Sequence, residues 1–84
     1  MQDLTKELAR QYGYAVKEGV IVLQVASGSP AQFAGLKPGV LILEANRKTI
    51  RTVQDFMDAI EGSKSVLLLI QEGRYSRYVI LQMG

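Results

Sequence analysis

The sequence predicts an α+β domain: a small curled sheet or partly open barrel capped by two helices. Three observations lead there. The elements read in the order helix, strand, short helix, strand, helix, strand, strand. The strands are short, β-branched apolar runs bounded by Gly, Pro, Asn and Ser. The chain has 84 residues, 48% of them hydrophobic, which is enough for one domain with one modest core.

Leu4–Gly13 predicts a short helix. Thr5 is placed to cap it and Glu7 lies in its first turn, where the helix dipole favours negative charge. Leu4, Leu8 and Tyr12 recur every four residues and share a face. Gly13 stands where a helix ends by entering the left-handed region.

Gly19–Val25 is nearly all apolar and predicts a central strand covered on both faces. Ala26–Pro30 is a turn. Ser29 then caps a helix of little more than a turn whose first residue is Pro30. Its alanines predict close packing, and Gly35 stops it. Lys37-Pro38-Gly39 is turn chemistry, because proline presets φ and glycine supplies positive φ.

Val40–Ala45 predicts the next strand, and Asn46-Arg47-Lys48 a tight turn into Thr49-Ile50. Thr52 caps a second full helix, VQDFMDAIE, with Asp55 completing an arrangement like a capping box. Phe56 and Ala59 point to the core. Ser65–Gln71 and Tyr75–Met83 read as strands joined by Glu72-Gly73-Arg74. In the last strand Tyr75, Arg77 and Val79 alternate with Ser76, Tyr78 and Ile80.

The residue inventory argues against catalysis. Without histidine or cysteine, a Ser-His-Asp triad, a histidine metal site, a zinc thiolate site and a disulfide framework are all excluded within this chain. The eight acids are scattered, and the five serines have no candidate base. Ser63-Lys64-Ser65 reads as a helix-to-strand turn rather than a Ser-Lys pair. The stretch GLKPG lacks the ending of a phosphate loop. A net charge of +2, with no basic run beyond Arg47-Lys48, gives no nucleic-acid footprint. No apolar run approaches the ~20 residues of a membrane span, and no cofactor is called for. Binding is the function left.

The stretch GVIVLQVASGSPAQFAGLKPGVLILEANRKTI resembles the PDZ domains of bacterial HtrA/Deg serine proteases. Ser-Pro-Ala, Ala-Gly-Leu, Pro-Gly and the strand ending in Asn carry the resemblance. LTKELARQYGY resembles the helix that these domains insert before the central strand, and TVQDFMDAI resembles their groove helix. The likeness covers essentially the whole chain and favours a second PDZ domain over a first. It implies an antiparallel sheet of about five strands in the permuted bacterial topology. It also implies a single domain over residues 1–84, cut from a longer periplasmic or cell-envelope protease.

Two departures from the family pattern stand out. Val40 replaces the acid usual after the Pro-Gly turn. The carboxylate-binding loop and the peptide-pairing strand that precede the leading helix are absent, save for Met1-Gln2-Asp3-Leu4 as the strand's tail. Tyr12-Gly13-Tyr14 looks like such a loop but reads as the helix end.

What the resemblance implies about function is β-augmentation: C-terminal or unfolded apolar peptide segments add as a strand to an open edge. The peptide-binding residues it implies are Val53, Met57 and Ile60 on the helix, with Met1 opposite. Other implied partners are the parent protease domain and its oligomer neighbours. An unprotected sheet edge predicts self-association as well. A structural PDZ that holds an oligomer without binding free peptide fits the same residues. So does a PDZ from a secretion component or a membrane protease.

Overall fold

The computed structural model describes residues 1–83. In chain order the elements are β1 (Gln2–Asp3), α1 (Lys6–Tyr12), β2 (Val20–Ile21), α2 (Pro30–Phe33), β3 (Leu41–Ala45), β4 (Lys48–Thr49), α3 (Val53–Ile60), β5 (Ser65–Glu72) and β6 (Tyr75–Gln82). The strands form one antiparallel sheet in the order β1-β2-β3-β5-β6, with β4 paired to β3 off that path. The sheet is open, with β1 and β6 at its two ends. Six strands are present where about five were expected, because β1 and β4 are two-residue strands.

The central strands separate two apolar layers. Val20 and Val22 join the main core with Val40, Ile42, Phe56, Leu68 and Ile70. Ile21 and Leu41 face the other way, onto Leu4, Ala9 and Tyr14 beneath α1. This alternation of neighbouring residues between faces is the strand period of two. It explains why the run Gly19–Val25 carries no polar face in its first half. Burying each such side chain stabilises by about 1.5–3 kcal/mol.

The ladder of β2 is shorter than the apolar run predicts. Val22 N–H donates to the Val40 carbonyl at 2.8 Å, and Gly39 N–H donates to the Val22 carbonyl at 2.7 Å. The Lys-Pro-Gly turn thus takes up Val22, and beyond it the chain leaves the sheet. Val40 is buried in the core, so an apolar residue serves where the family pattern has an acid. Gly19 has φ 146°, and a Cβ there would stand 3.0 Å from the Ile42 carbonyl oxygen and from Leu41 Cδ1. Only glycine lets β2 start this close to β3.

The caps follow the sequence closely. Thr5 Oγ1 accepts from Leu8 N–H at 3.1 Å, and Ser29 Oγ accepts from Gln32 N–H at 3.3 Å. Gly13, at φ 77°, ends α1. There Gly13 N–H donates to the Arg10 carbonyl, and Tyr14 N–H donates to the Ala9 carbonyl at 2.7 Å. Those are the two bonds of a Schellman turn, so Tyr12-Gly13-Tyr14 is a helix end. One expectation is corrected here. Tyr12 does not share the buried face with Leu4 and Leu8; it is exposed, with its ring beside Gly39. Ala9 packs against Ile21 and Leu41 instead, and the Schellman turn sends Tyr14 inward.

Two tight hairpins set the register. Ala45 pairs Lys48 across Asn46 and Arg47, both at positive φ (50° and 66°), as a type I′ turn requires. Glu72 pairs Tyr75 across Gly73-Arg74, where only Gly73 has positive φ. The β3–β5 register shifts between Ile42 and Glu44. Leu43 at that bulge turns its carbonyl to Ile50 N–H at 2.9 Å, which lets β3 serve both β4 and β5.

Candidate functional site

The site lies between the free edge of β1 and the helix α3. Leu4 N–H donates to the Gly19 carbonyl at 2.9 Å. In an antiparallel ladder, alternate residues turn their backbone groups to opposite sides. Gln2 and Leu4 therefore face β2, and the N–H and C=O of Asp3 face the open edge.

Helix α3 is fixed from three directions. Thr52 Oγ1 accepts from Asp55 N–H at 3.1 Å, which caps the helix. Asp55 Oδ2 accepts from Arg51 N–H at 3.0 Å, one residue earlier than a capping box would place it. Asp3 Oδ1 accepts from Val53 N–H at 2.7 Å. The strand thus caps the helix across the gap and holds the two walls together at the helix N-terminus. Nothing in the sequence marks Asp3 for this, since its partner lies 50 residues away.

Farther along α3 the gap widens into an apolar concavity of about 220 Å³. Met57 and Ile60 line it from the helix and Met1 from the chain start, and Met83 stands at its rim with Leu81 below. Phe56 and Ile42 belong to both the lining and the core. Of the residues expected at the groove, Met1, Met57 and Ile60 are brought together here. Val53 is outside the lining: it packs, half buried, against the main core, and its backbone N–H receives Asp3. Met83 and Leu81 were missed because the end of β6 reaches the concavity only through the sheet topology.

Other polar groups of α3 are spent on local hydrogen bonds. Gln54 Nε2 donates to Asp58 at 2.8 Å and Asp55 is committed to Arg51 N–H. Among the described residues no group of three acids could hold a metal ion. None of their helices is long and apolar enough to cross a membrane.

On the opposite face, Tyr14 is a buried strut. Its hydroxyl donates to the Gly39 carbonyl and lies 3.0 Å from the Gln71 carbonyl oxygen. Burial pushes its phenol above the ordinary value of 10.0.

Comparison with known proteins bears on the fold and the family. A family model described as "PDZ domain" matches residues 21–72. The "Probable periplasmic serine endoprotease DegP-like" of Chlamydia trachomatis is 35% identical over 85 residues, covering 98% of this chain and 17% of that protein. The "Putative serine protease HhoB" of Synechocystis is 36% identical over 95 residues, covering all of this chain and 23% of that protein. The chain therefore spans less than a quarter of the length of these curated relatives. Among solved structures, the HtrA3 PDZ domain bound to a phage-derived ligand, FGRWV, has a TM-score of 0.86 at 22% identity. It aligns with 96% of this chain, which covers 76% of that one. The HtrA-type protease AlgW with a decapeptide has a TM-score of 0.84 at 22% identity, covering 98% of this chain and 26% of that one. With a family model spanning most of its length and this likeness of fold, the chain belongs to the PDZ domain family.

Proposed function

We propose that this chain is a peptide-binding module of a periplasmic HtrA-type serine protease, taking C-terminal or extended apolar segments by strand addition to β1. The observation that carries the reading is the juxtaposition of an open strand edge with an apolar concavity. Asp3 offers the backbone groups, and Met57 and Ile60 stand across from it with Met1 alongside. Main-chain pairing supplies affinity and the concavity selects an apolar side chain. No histidine is available to read a hydroxyl on the ligand. The relatives' names, periplasmic serine endoproteases, support that parent and that compartment. The ligand named with HtrA3 ends in Trp-Val, an apolar terminus of the kind this concavity fits. Such a module serves to capture substrate termini or to relay their binding to the protease.

The test is a ¹H–¹⁵N titration with the peptide FGRWV. Shifts at Asp3, Met57 and Ile60 are expected, and Met57→Lys should weaken binding about tenfold by placing a charge in the concavity. Absence of shifts there would favour a PDZ that only holds an assembly together.

A further inference from the structure

The three methionines of the chain, Met1, Met57 and Met83, are far apart in sequence, yet all line the one concavity beside α3. They lie at its surface, 52%, 50% and 38% exposed respectively. The chain has no cysteine, so these thioethers are all of its oxidisable sulfur. The rest of the lining is hydrocarbon: Leu81, Ile60 and Phe56 among others. The fold therefore gathers all the sulfur at one apolar pocket, on its solvent side.

We propose that these methionines are an oxidation site that switches the pocket from apolar to polar and releases its ligand. The proposal rests on the peptide-binding reading above. The reagent is a peroxide. The thioether sulfur attacks the O–O bond and gives up two electrons. One oxygen remains on sulfur as the sulfoxide, and the other leaves as water with the peroxide's two protons. Methionine suits a promiscuous apolar pocket because its side chain is flexible and polarizable. The sulfoxide is polar and has strong acceptor character. A ligand's apolar side chain seated against it would bury that oxygen without a donor, which costs binding. Core residues carry none of the sulfur, so the fold survives the modification. Reduction by methionine sulfoxide reductases restores the thioether.

The experiment measures FGRWV binding to the chain before and after hydrogen peroxide. Intact mass counts the oxygens added, and a circular-dichroism melt checks the fold. The expected result is binding by the reduced chain, weakened about tenfold or more after oxidation. The melt should keep its cooperativity, and the two sulfoxide reductases together should restore binding. A Met57→Leu/Met83→Leu variant keeps volume and apolarity but not the sulfur; whatever its own affinity, oxidation should lower it by a much smaller factor than it lowers that of the parent chain. If the oxidised chain binds as tightly as the reduced one, the switch is overturned while the peptide reading stands. If oxidation melts the chain, the loss is unfolding and the switch is likewise overturned. If the reduced chain itself shows no binding, the peptide reading fails first and the switch falls with it.

Discussion

Tyr14 shows what a single residue contributes when it ties distant segments together. Its hydroxyl meets carbonyls of the Lys-Pro-Gly turn and of β5, 25 and 57 residues away. Tyr14→Phe keeps the ring and removes the hydroxyl together with both of its carbonyl contacts. The expected loss is about 1–2 kcal/mol, seen as a melting point lower by roughly 4–8 °C per kcal/mol in a domain of this size. The effect has a pH signature. The folded state raises the phenol's pKa, so its contribution is complete below the unfolded value near 10. As pH climbs from there through the folded value, the unfolded chain ionises more readily and the contribution is lost. Urea melts of both proteins should therefore differ at neutral pH and converge in strong alkali. A constant gap would mean that the phenol's ionisation is not linked to folding, and no gap at any pH would mean that Tyr14 acts through packing alone. No local pattern in the sequence distinguishes Tyr14 from Tyr12. The contacts that separate them are long-range.

At the scale of elements, the sequence was readable where the signal is local. Thr5, Ser29 and Thr52 each cap the helix that follows them, and each is recognisable within four residues of what it bonds. The turns after Ala45 and Glu72 are legible for the same reason. The apolar run of β2 predicted burial on both faces but not where pairing ends, because a turn 17 residues later takes up Val22. The site was half legible. Met57 and Ile60 came from the resemblance to a groove helix, on whose one face they lie with Val53, whereas Val53 in the structure packs with Phe56 against the core. Asp3 could not be found at all, since a lone exposed acid carries no address. Its role makes a prediction. Asp3→Ala should cost about 1 kcal/mol by uncapping α3, within the 0.5–2 kcal/mol range for lost caps. Amide exchange of Val53 should speed up at the same time, while that of Leu68 in β5 changes only with global stability. Unchanged exchange at Val53 would show that Thr52 and Asp55 hold the helix start alone.

For the molecule as a whole, the two ends of the sheet are protected differently, and that difference favours the proposed binding at β1. At the β6 end, α2 packs alongside, and Arg77 reaches the Gly35 carbonyl at 3.4 Å. A helix packed against an end strand leaves less of that strand free to template another. At the β1 end the strand is short and has no helix laid along its free edge. Among the described residues, Asp3 ties it to α3 by accepting from Val53 N–H. A peptide strand added there extends the sheet over the concavity and joins β1 to α3 beyond the Asp3–Val53 bond. Binding of this kind favours the folded state by mass action. With peptide at about 100 times its Kd, the stabilisation is about 2.7 kcal/mol. For a domain of this length that is a rise in melting temperature of roughly 10–20 °C. FGRWV should produce it, and the same peptide with an acidic last residue should not, because the concavity offers no partner for that charge. Equal shifts with both peptides would place binding on backbone pairing alone and take the specificity away from Met57 and Ile60. A shift with neither would leave β1 as an edge kept for another part of the parent assembly.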